Sequence, residues 1–399
     1  MKKPLCIGLD GGATKISAAL LERNAESGQF SLSGDPVEIP LAACSGFSPD
    51  FQPVDIAVQL REMEAGAIRP TEEEQAQESA FLEAAVEAIH ACLPATDVPP
   101  ILIGMGLPGL KTPDQRGIAA MANGPRMPEF ASQLEARLTD RKIPLARPLH
   151  RLGSDADYCG MGEEYAVDGN FADMQNAYYL GGGTGAADAL KLGGQLVPLD
   201  QTKSWLAKTW ELKEKDGLSL ERFASAGGIQ TVYARISGKD YNTLVADKIY
   251  PSVILQRAVD GEPAAAETME RVAHRLGDLL AERIETTCCG WKGRFSFINP
   301  RRAPLDSQHP FLGTVFDRIV MGQRLADLLR QSQTTPFLWR PLLERLSEHC
   351  SRMDTMVQNH YLHNARFRED VLVLSGLRAA PVLGAGVDAW LNYSPESHA

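Results

Sequence analysis

Two glycine-rich loops, each set between apolar runs, constrain this chain more than any other feature. The first lies in CIGLDGGATKISAALLE, from Cys6 to Glu22, and the second in YYLGGGTGAADAL, from Tyr178 to Leu190. An apolar run, a glycine turn and a second apolar run read as a β-hairpin. The two hairpins stand about one domain apart in the chain. That spacing predicts two related halves, each offering one glycine loop to a shared cleft.

The intervening segments fit this division. PPILIGMGLPG reads as a buried strand ending in a turn, and LHRLGSDADYCGMGEEYAV as a strand, a turn and a helix start. ESAFLEAAVEAIHACL and AAAETMERVAHRLGDLLAERIE carry apolar residues at helical spacing. DRIVMGQRLADLLRQ feeds a helix, and the tail adds a helix, a strand and a last helix. Strands alternating with helices predict α/β domains. Residues 25–70 are polar and proline-rich and predict irregular structure, as does the stretch 296–313.

The chain has 399 residues, enough for two domains each with its own core. Its formal charge of −11 argues against a general nucleic-acid or anionic-membrane binder. A phosphate ligand stays open, because backbone amides and a metal ion hold phosphate locally. No window is apolar for long enough to span a bilayer, and MKKPLCIGLD reads as a first strand rather than a secretory signal. The seven cysteines are scattered and lack C-x-x-C spacing, which suits reduced cytoplasmic thiols and argues against a cysteine-rich zinc site.

In the first loop, Gly11 and Gly12 can adopt positive φ and leave no Cβ in the way of an approaching anion. Successive amides of Gly11, Gly12, Ala13 and Thr14 can form a concave nest. Thr14 adds a hydroxyl and Lys15 a point charge. Asp10 would repel phosphate by itself; a Mg²⁺ between them, held through water, makes the carboxylate useful. A plain Gly-Gly turn with a solvated Asp10 accounts for the same residues. In the second loop Gly183, Thr184 and Gly185 belong to a run richer in glycine than a tight turn needs. Gly181, Gly183 and Ala186 also match a lone dinucleotide fingerprint, but Gly193 and Gly194 follow too soon for a pyrophosphate-binding helix. Asp155 and Asp157 sit at a Gly-Ser-Asp turn, where they serve either as helix caps or, for one of them, as a general base.

These pieces resemble, in order, the ROK (repressor, ORF, kinase) sugar kinases of the actin-like ATPase superfamily. LDGGATK is similar to their first phosphate loop, GMGLPG to a glycine-proline strand end, and MANGPRMPEF to the segment that brings an Asn, here Asn123, to the sugar. SDADYCGMGE is similar to the signature that carries the catalytic base, which falls on Asp155, with Ser154 where the family has a sugar-binding Asn. GGGTGAA resembles the second phosphate loop, and IVMGQ the adenosine-side segment, with Gly322 matched. GLSLERFASAGG resembles the tail of the family's zinc motif and puts Glu221 on a sugar-contacting Glu. The cysteines and histidine of that motif are missing, so the expectation is no zinc. Glu211 stands loosely where the family has a further Glu.

The resemblance implies an actin-like (ribonuclease H-like) α/β fold of two domains about a central interdomain cleft. The first would span 1–152, completed by a C-terminal helix in 381–399, and the second 153–380. It implies ATP and Mg²⁺ as cofactors, a hexose or hexose derivative as substrate, a homodimer, and a cytoplasmic location. Asp155 would act as general base; Asn123, Ser154, Asp155 and Glu221 would bind sugar; Asp10 would orient Mg²⁺. The loop residues Gly11, Gly12, Ala13, Thr14, Lys15, Gly183, Thr184 and Gly185, with Gly322, would hold the nucleotide. Two other readings are a sugar-binding sensor without a DNA-binding domain and an actin-like ATPase that drives a partner.

Overall fold

The structure, a computed structural model, describes residues 3–393. It divides into two compact units: the described residues up to Gly169 together with those from Ala379 onward, and Asn170–Arg378.

The first unit is built on a sheet whose spine is β1 (Leu5–Gly11), β2 (Lys15–Arg23), β3 (Phe30–Leu32), β4 (Val37–Pro40), β5 (Ile101–Gly106) and β6 (Leu152–Gly153). The order is β3-β2-β1-β5-β6, with β4 also on β2. β1 runs antiparallel to β2 and parallel to β5, and β5 runs parallel to β6. Side chains alternate across such strands, and the sequence uses both faces of β1 differently. Ile7 and Leu9, with Ile103 and Met105 of β5, face a core shared with α2 (Glu72–Ala91) and α3 (Phe130–Asp140). On the other face Gly8 and Gly104 let the C-terminal helix Ala380–Leu391 lie directly on the sheet. A Cβ on Gly8 would stand 1.8 Å from the Val382 carbonyl oxygen, and one on Gly104 1.7 Å from that of Ala385.

The same helix packs on α4 (Asp155–Tyr165), and glycines mediate that contact too. A Cβ on Gly384 would meet the Tyr158 carbonyl oxygen at 2.0 Å. The buried Tyr158 hydroxyl donates to Asp388 at 2.8 Å, and Arg151 brackets the same carboxylate at 3.0 and 2.6 Å. This packing places α4 in the first unit, so the expected division after residue 152 falls inside that unit. The expectation of irregular structure over 25–70 also needs correction: the segment supplies β3 and β4, which pair with β2, and the helix α1 (Ile56–Glu64).

The second unit repeats the sheet. Its strands are β7 (Ala177–Gly182), β8 (Ala186–Leu192), β9 (Gln195–Leu196), β10 (Arg318–Gly322) and β11 (Leu372–Leu374), in the order β9-β8-β7-β10-β11. β7 and β8 form an antiparallel hairpin, and β10 and β11 add in parallel, as β5 and β6 do in the first unit. The likeness of the two glycine loops in sequence is thus the trace of a repeated topology. Tyr178 and Leu180 face a core packed by α5 (Ala226–Ser237) and the long α6 (Pro263–Cys289). The stretch 296–313 is mostly irregular, as expected, and it is not free. Ser296–Phe297 pairs with Leu212–Lys213, and His309 stacks on the buried Trp205 with ring centroids 4.2 Å apart.

No helix among the described residues is long and apolar enough to cross a membrane.

Candidate active site

In the first unit, hydrogen-bond register lines up the ends of three strands. Asp10 of β1 is opposite Gly106 of β5, and Gly106 is opposite Gly153 of β6. Two residues after Gly153, Asp155 opens α4, with Ser154 as its N-cap accepting the Asp157 amide at 3.4 Å. A Cβ on Gly106 would lie 3.5 Å from the Asp155 Cα, so a larger residue there would crowd the helix start. Asp10 is an even-numbered strand residue, on the same face as Gly8 and level with Gly106, whose Cβ position is beside the start of α4. The pattern of the strand therefore aims Asp10 toward Asp155.

The electrostatics follow from this placement. Burial first, and the Asp155 charge second, push the Asp10 carboxyl up to about 7, against a smaller opposing pull from Lys15. Neither carboxylate has a hydrogen-bond partner among the described residues. Asp155 sits where the amides and dipole of a helix N-terminus favour an anion, and both side chains are only half-buried. A carboxylate destabilised by its surroundings and left without a partner fits a divalent cation held by one protein oxygen and several waters. No group of three or more His, Cys, Asp or Glu able to cage a metal occurs among the described residues.

The first glycine loop is a short turn in which the Gly12 amide donates to Lys15 O at 3.0 Å and Thr14 O accepts the Leu41 amide at 2.9 Å. Ala13 and Thr14 are exposed. Lys15 forms an ion pair with Glu38, so part of its charge is already answered. The glycines do not use the positive φ expected of them. Gly11 is needed for close packing, since its Cβ would stand 2.3 Å from Leu107 Cδ2. Gly12 has no such neighbour; the nearest atom to its Cβ position is Lys15 O at 3.9 Å.

Asn123 is exposed on the loop after Ile118–Ala120, a short strand paired with Leu110–Lys111 just beyond β5. Sequence reasoning missed what holds this loop. The buried Gln59 side chain accepts from Met121 N at 2.8 Å and donates to Met121 O at 3.1 Å. Arg126, also buried, bonds Glu74 through Nε at 2.8 Å and Nη2 at 2.6 Å, pairs with Glu62, and reaches Arg69 O at 3.0 Å. Glu74 is also the return arm of the capping box that starts α2 at Thr71. The spacing in PTEEEQ is the sequence signature of such a capping box; nothing local signals Glu74's second use, as a buried partner for Arg126.

The second unit gathers the other group of expected residues. The loop Gly183–Thr184–Gly185 joins β7 to β8, with Gly183 N bonded to Gly185 O at 2.9 Å and Ala226 N to Gly183 O at 3.0 Å. Glu221 Oε1 accepts the Ala186 amide at 3.0 Å, so this residue is on the glycine loop itself. Gln323, at the start of α7 (Gln323–Ser332), lays its side chain over the loop's other end: its Oε1 is 2.9 Å from the Cβ position of Gly183. Gly322 pairs with Gly181, and its Cβ position is 2.1 Å from the Tyr179 hydroxyl. Packing of Tyr179 thus accounts for that glycine by itself. Glu211 accepts the Lys208 amide at 2.8 Å and pairs with Arg302 at 3.5 Å.

No family model and no curated protein sequence matches the chain. Solved structures do. A ROK family glucokinase from Streptomyces griseus, in complex with glucose and AMPPNP, aligns over 97% of this chain and 100% of its own, with a TM-score of 0.56 at 16% identity. Glucokinase from Parabacteroides distasonis aligns over 98% and 99%, with a TM-score of 0.54 at 17% identity. ROK hexokinase from Thermus thermophilus aligns over 97% and 98%, with a TM-score of 0.52 at 18% identity. At these identities the likeness is one of fold: the chain shares the two-unit α/β fold of these sugar kinases.

Proposed function

We propose that the protein is an ATP-dependent sugar kinase in which Asp155 is the general base. The observation that carries this reading is the pair at the strand ends: Asp155 at the start of α4, unpartnered and reachable by solvent, with Asp10 close enough to feel its charge. The S. griseus glucokinase of like fold, whose structure holds glucose and AMPPNP, is what brings a hexose and ATP to the reading.

Phosphoryl transfer asks a protein chiefly to position the reactants and to answer charge. Asp155 would accept the proton of the attacking hydroxyl, which makes that oxygen a better nucleophile as the bond to phosphorus forms. Asn123, Ser154 and Glu221 would pair with the remaining sugar hydroxyls, each of which both donates and accepts. The Ser154 oxygen already takes an amide as helix cap, so its proton is the part left to give. Gln59 and Arg126 would act on Asn123 through its loop, as positioning residues. Among the amides of 11–14 and of 183–186, those not bonded to carbonyls of their own loops would take phosphate oxygens, and Gly322 would border the adenosine. Asp10 would hold Mg²⁺ through water; when bound, that ion neutralises phosphate charge. Dependence on ATP puts the proposed activity in the cytoplasm, and a homodimer remains part of the proposal.

The test is ADP release measured with and without a panel of hexoses and N-acetylhexosamines. Release that requires a sugar supports the kinase. Sugar-independent release supports an ATPase, and no release with any sugar supports a sensor.

A further inference from the structure

Glu221 is fixed on both sides. Its amide donates to Ser219 Oγ at 3.2 Å, and its carbonyl accepts from Ser225 Oγ at 2.9 Å. Ser225 in turn caps α5 by accepting the Gly228 amide at 3.3 Å. From this anchored position the carboxylate reaches into the second glycine loop. Oε1 takes the Ala186 amide at 3.0 Å and lies 2.9 Å from the Cβ position of Gly185. The amides of Thr184 and Gly185 beside it have no hydrogen bond among the described residues. One amide of the loop thus already holds an anion supplied by the chain itself, and two amides beside it are left for another.

We propose that the Glu221 carboxylate is a built-in competitor for the phosphate position of the second glycine loop, displaced when a nucleotide binds there. The inference rests on the reading of this loop as a nucleotide site. Two anions cannot share one amide, and their mutual repulsion adds to the competition. Removal of Glu221 from Ala186 therefore goes with phosphate entry. The released carboxylate is then the free acceptor that a sugar hydroxyl needs. Whatever draws Glu221 away favours the nucleotide, and the nucleotide favours whatever Glu221 then binds, because coupling between sites is reciprocal. Before release, the Ala186 amide is closed to phosphate and the carboxylate repels it, so idle ATP hydrolysis is held down.

The test is the Kd of Mg²⁺–AMPPNP, measured by calorimetry on the full chain and on two variants whose folding is checked by thermal melting. Glu221→Gln removes the charge; Glu221→Asp keeps the charge but is one methylene too short to reach Ala186. The competitor account expects both to bind about 10-fold tighter than the parent. If Glu221→Asp binds like the parent, the carboxylate is only a nearby charge and the proposal falls; it also falls if Glu221→Gln binds no tighter. If neither the parent nor the variants bind the nucleotide, the kinase reading itself is contradicted, and this inference with it.

Discussion

Asp155 repels Asp10: the carboxylate that opens α4 helps hold the carboxyl at the end of β1 at about 7, well above its ordinary value. Two such groups, both half-buried and unpartnered, are costly unless a cation or a transferring proton uses them. Replacing Asp10 by Asn should therefore raise the Mg²⁺ concentration needed for half-maximal ADP formation by about 10- to 100-fold, the range for losing a group that orients a metal. A Mg²⁺ titration at saturating nucleotide checks this; an unchanged requirement would remove Asp10 from the metal site.

The two kinds of glycine in the first unit should separate cleanly. Gly104→Ala forces a methyl group onto the Ala385 carbonyl oxygen, 1.7 Å away, and should lower stability by about 1–3 kcal/mol or more. Gly12→Ala meets nothing closer than 3.9 Å and should leave stability within about 0.5 kcal/mol. If Gly12 exists for a phosphate, its Ala variant should nevertheless bind AMPPNP more weakly. Chemical denaturation and calorimetry on the same two proteins decide the matter.

Glu78 gives stability a pH dependence of known sign. It lies on α2, only 5% exposed, and burial above all raises its carboxyl from 4.5 to about 7; Glu129 adds to the rise, and Gln133 and Arg137 oppose it. A raised folded value means that its contribution is fully present below the unfolded value and lost as pH climbs through about 7. Glu78→Gln should thus stabilise the protein by roughly 3 kcal/mol at pH 8 and by less than about 1 kcal/mol at pH 5. Equal gains at both pH values in denaturant melts would contradict the assignment.

A buried ionic network should prove intolerant of a missing partner. Arg283 is fully buried; it pairs with Glu282 at 2.8 Å and Asp188 at 3.5 Å, and bonds the Tyr178 hydroxyl at 3.2 Å. Asp188 also holds Thr209 through its amide at 2.9 Å and its hydroxyl at 2.6 Å. Arg283→Met strands two carboxylates in the core and should cost about 3–5 kcal/mol. A loss below about 1 kcal/mol in a denaturant melt would mean that water reaches the network.

Much of this architecture was readable in advance, and for local reasons. The hairpins of β1–β2 and β7–β8 announce themselves because apolar strands and a glycine turn are neighbours in sequence. Within the first of them Ile7 and Leu9 face the core, and Gly8 between them admits the C-terminal helix. What was hidden depends on remote partners. β3 and β4 are too short to show a period in the sequence, and what holds them extended is pairing with β2. The place of α4 follows from Gly384 and Asp388, more than 200 residues later in the chain. The hold of Gln59 and Arg126 on the Asn123 loop, and that of Glu221 on Ala186, depend on turn conformations that residue types do not fix.

The most direct test of the central claim is steady-state ADP formation by the parent and by Asp155→Asn, with and without the sugars that support activity. Loss of general-base action costs about 10²- to 10⁴-fold. The account predicts sugar-dependent release in the parent, a fall of that size in kcat for the variant, and nearly unchanged AMPPNP affinity. Full activity in Asp155→Asn, or release that ignores the sugar, would contradict it.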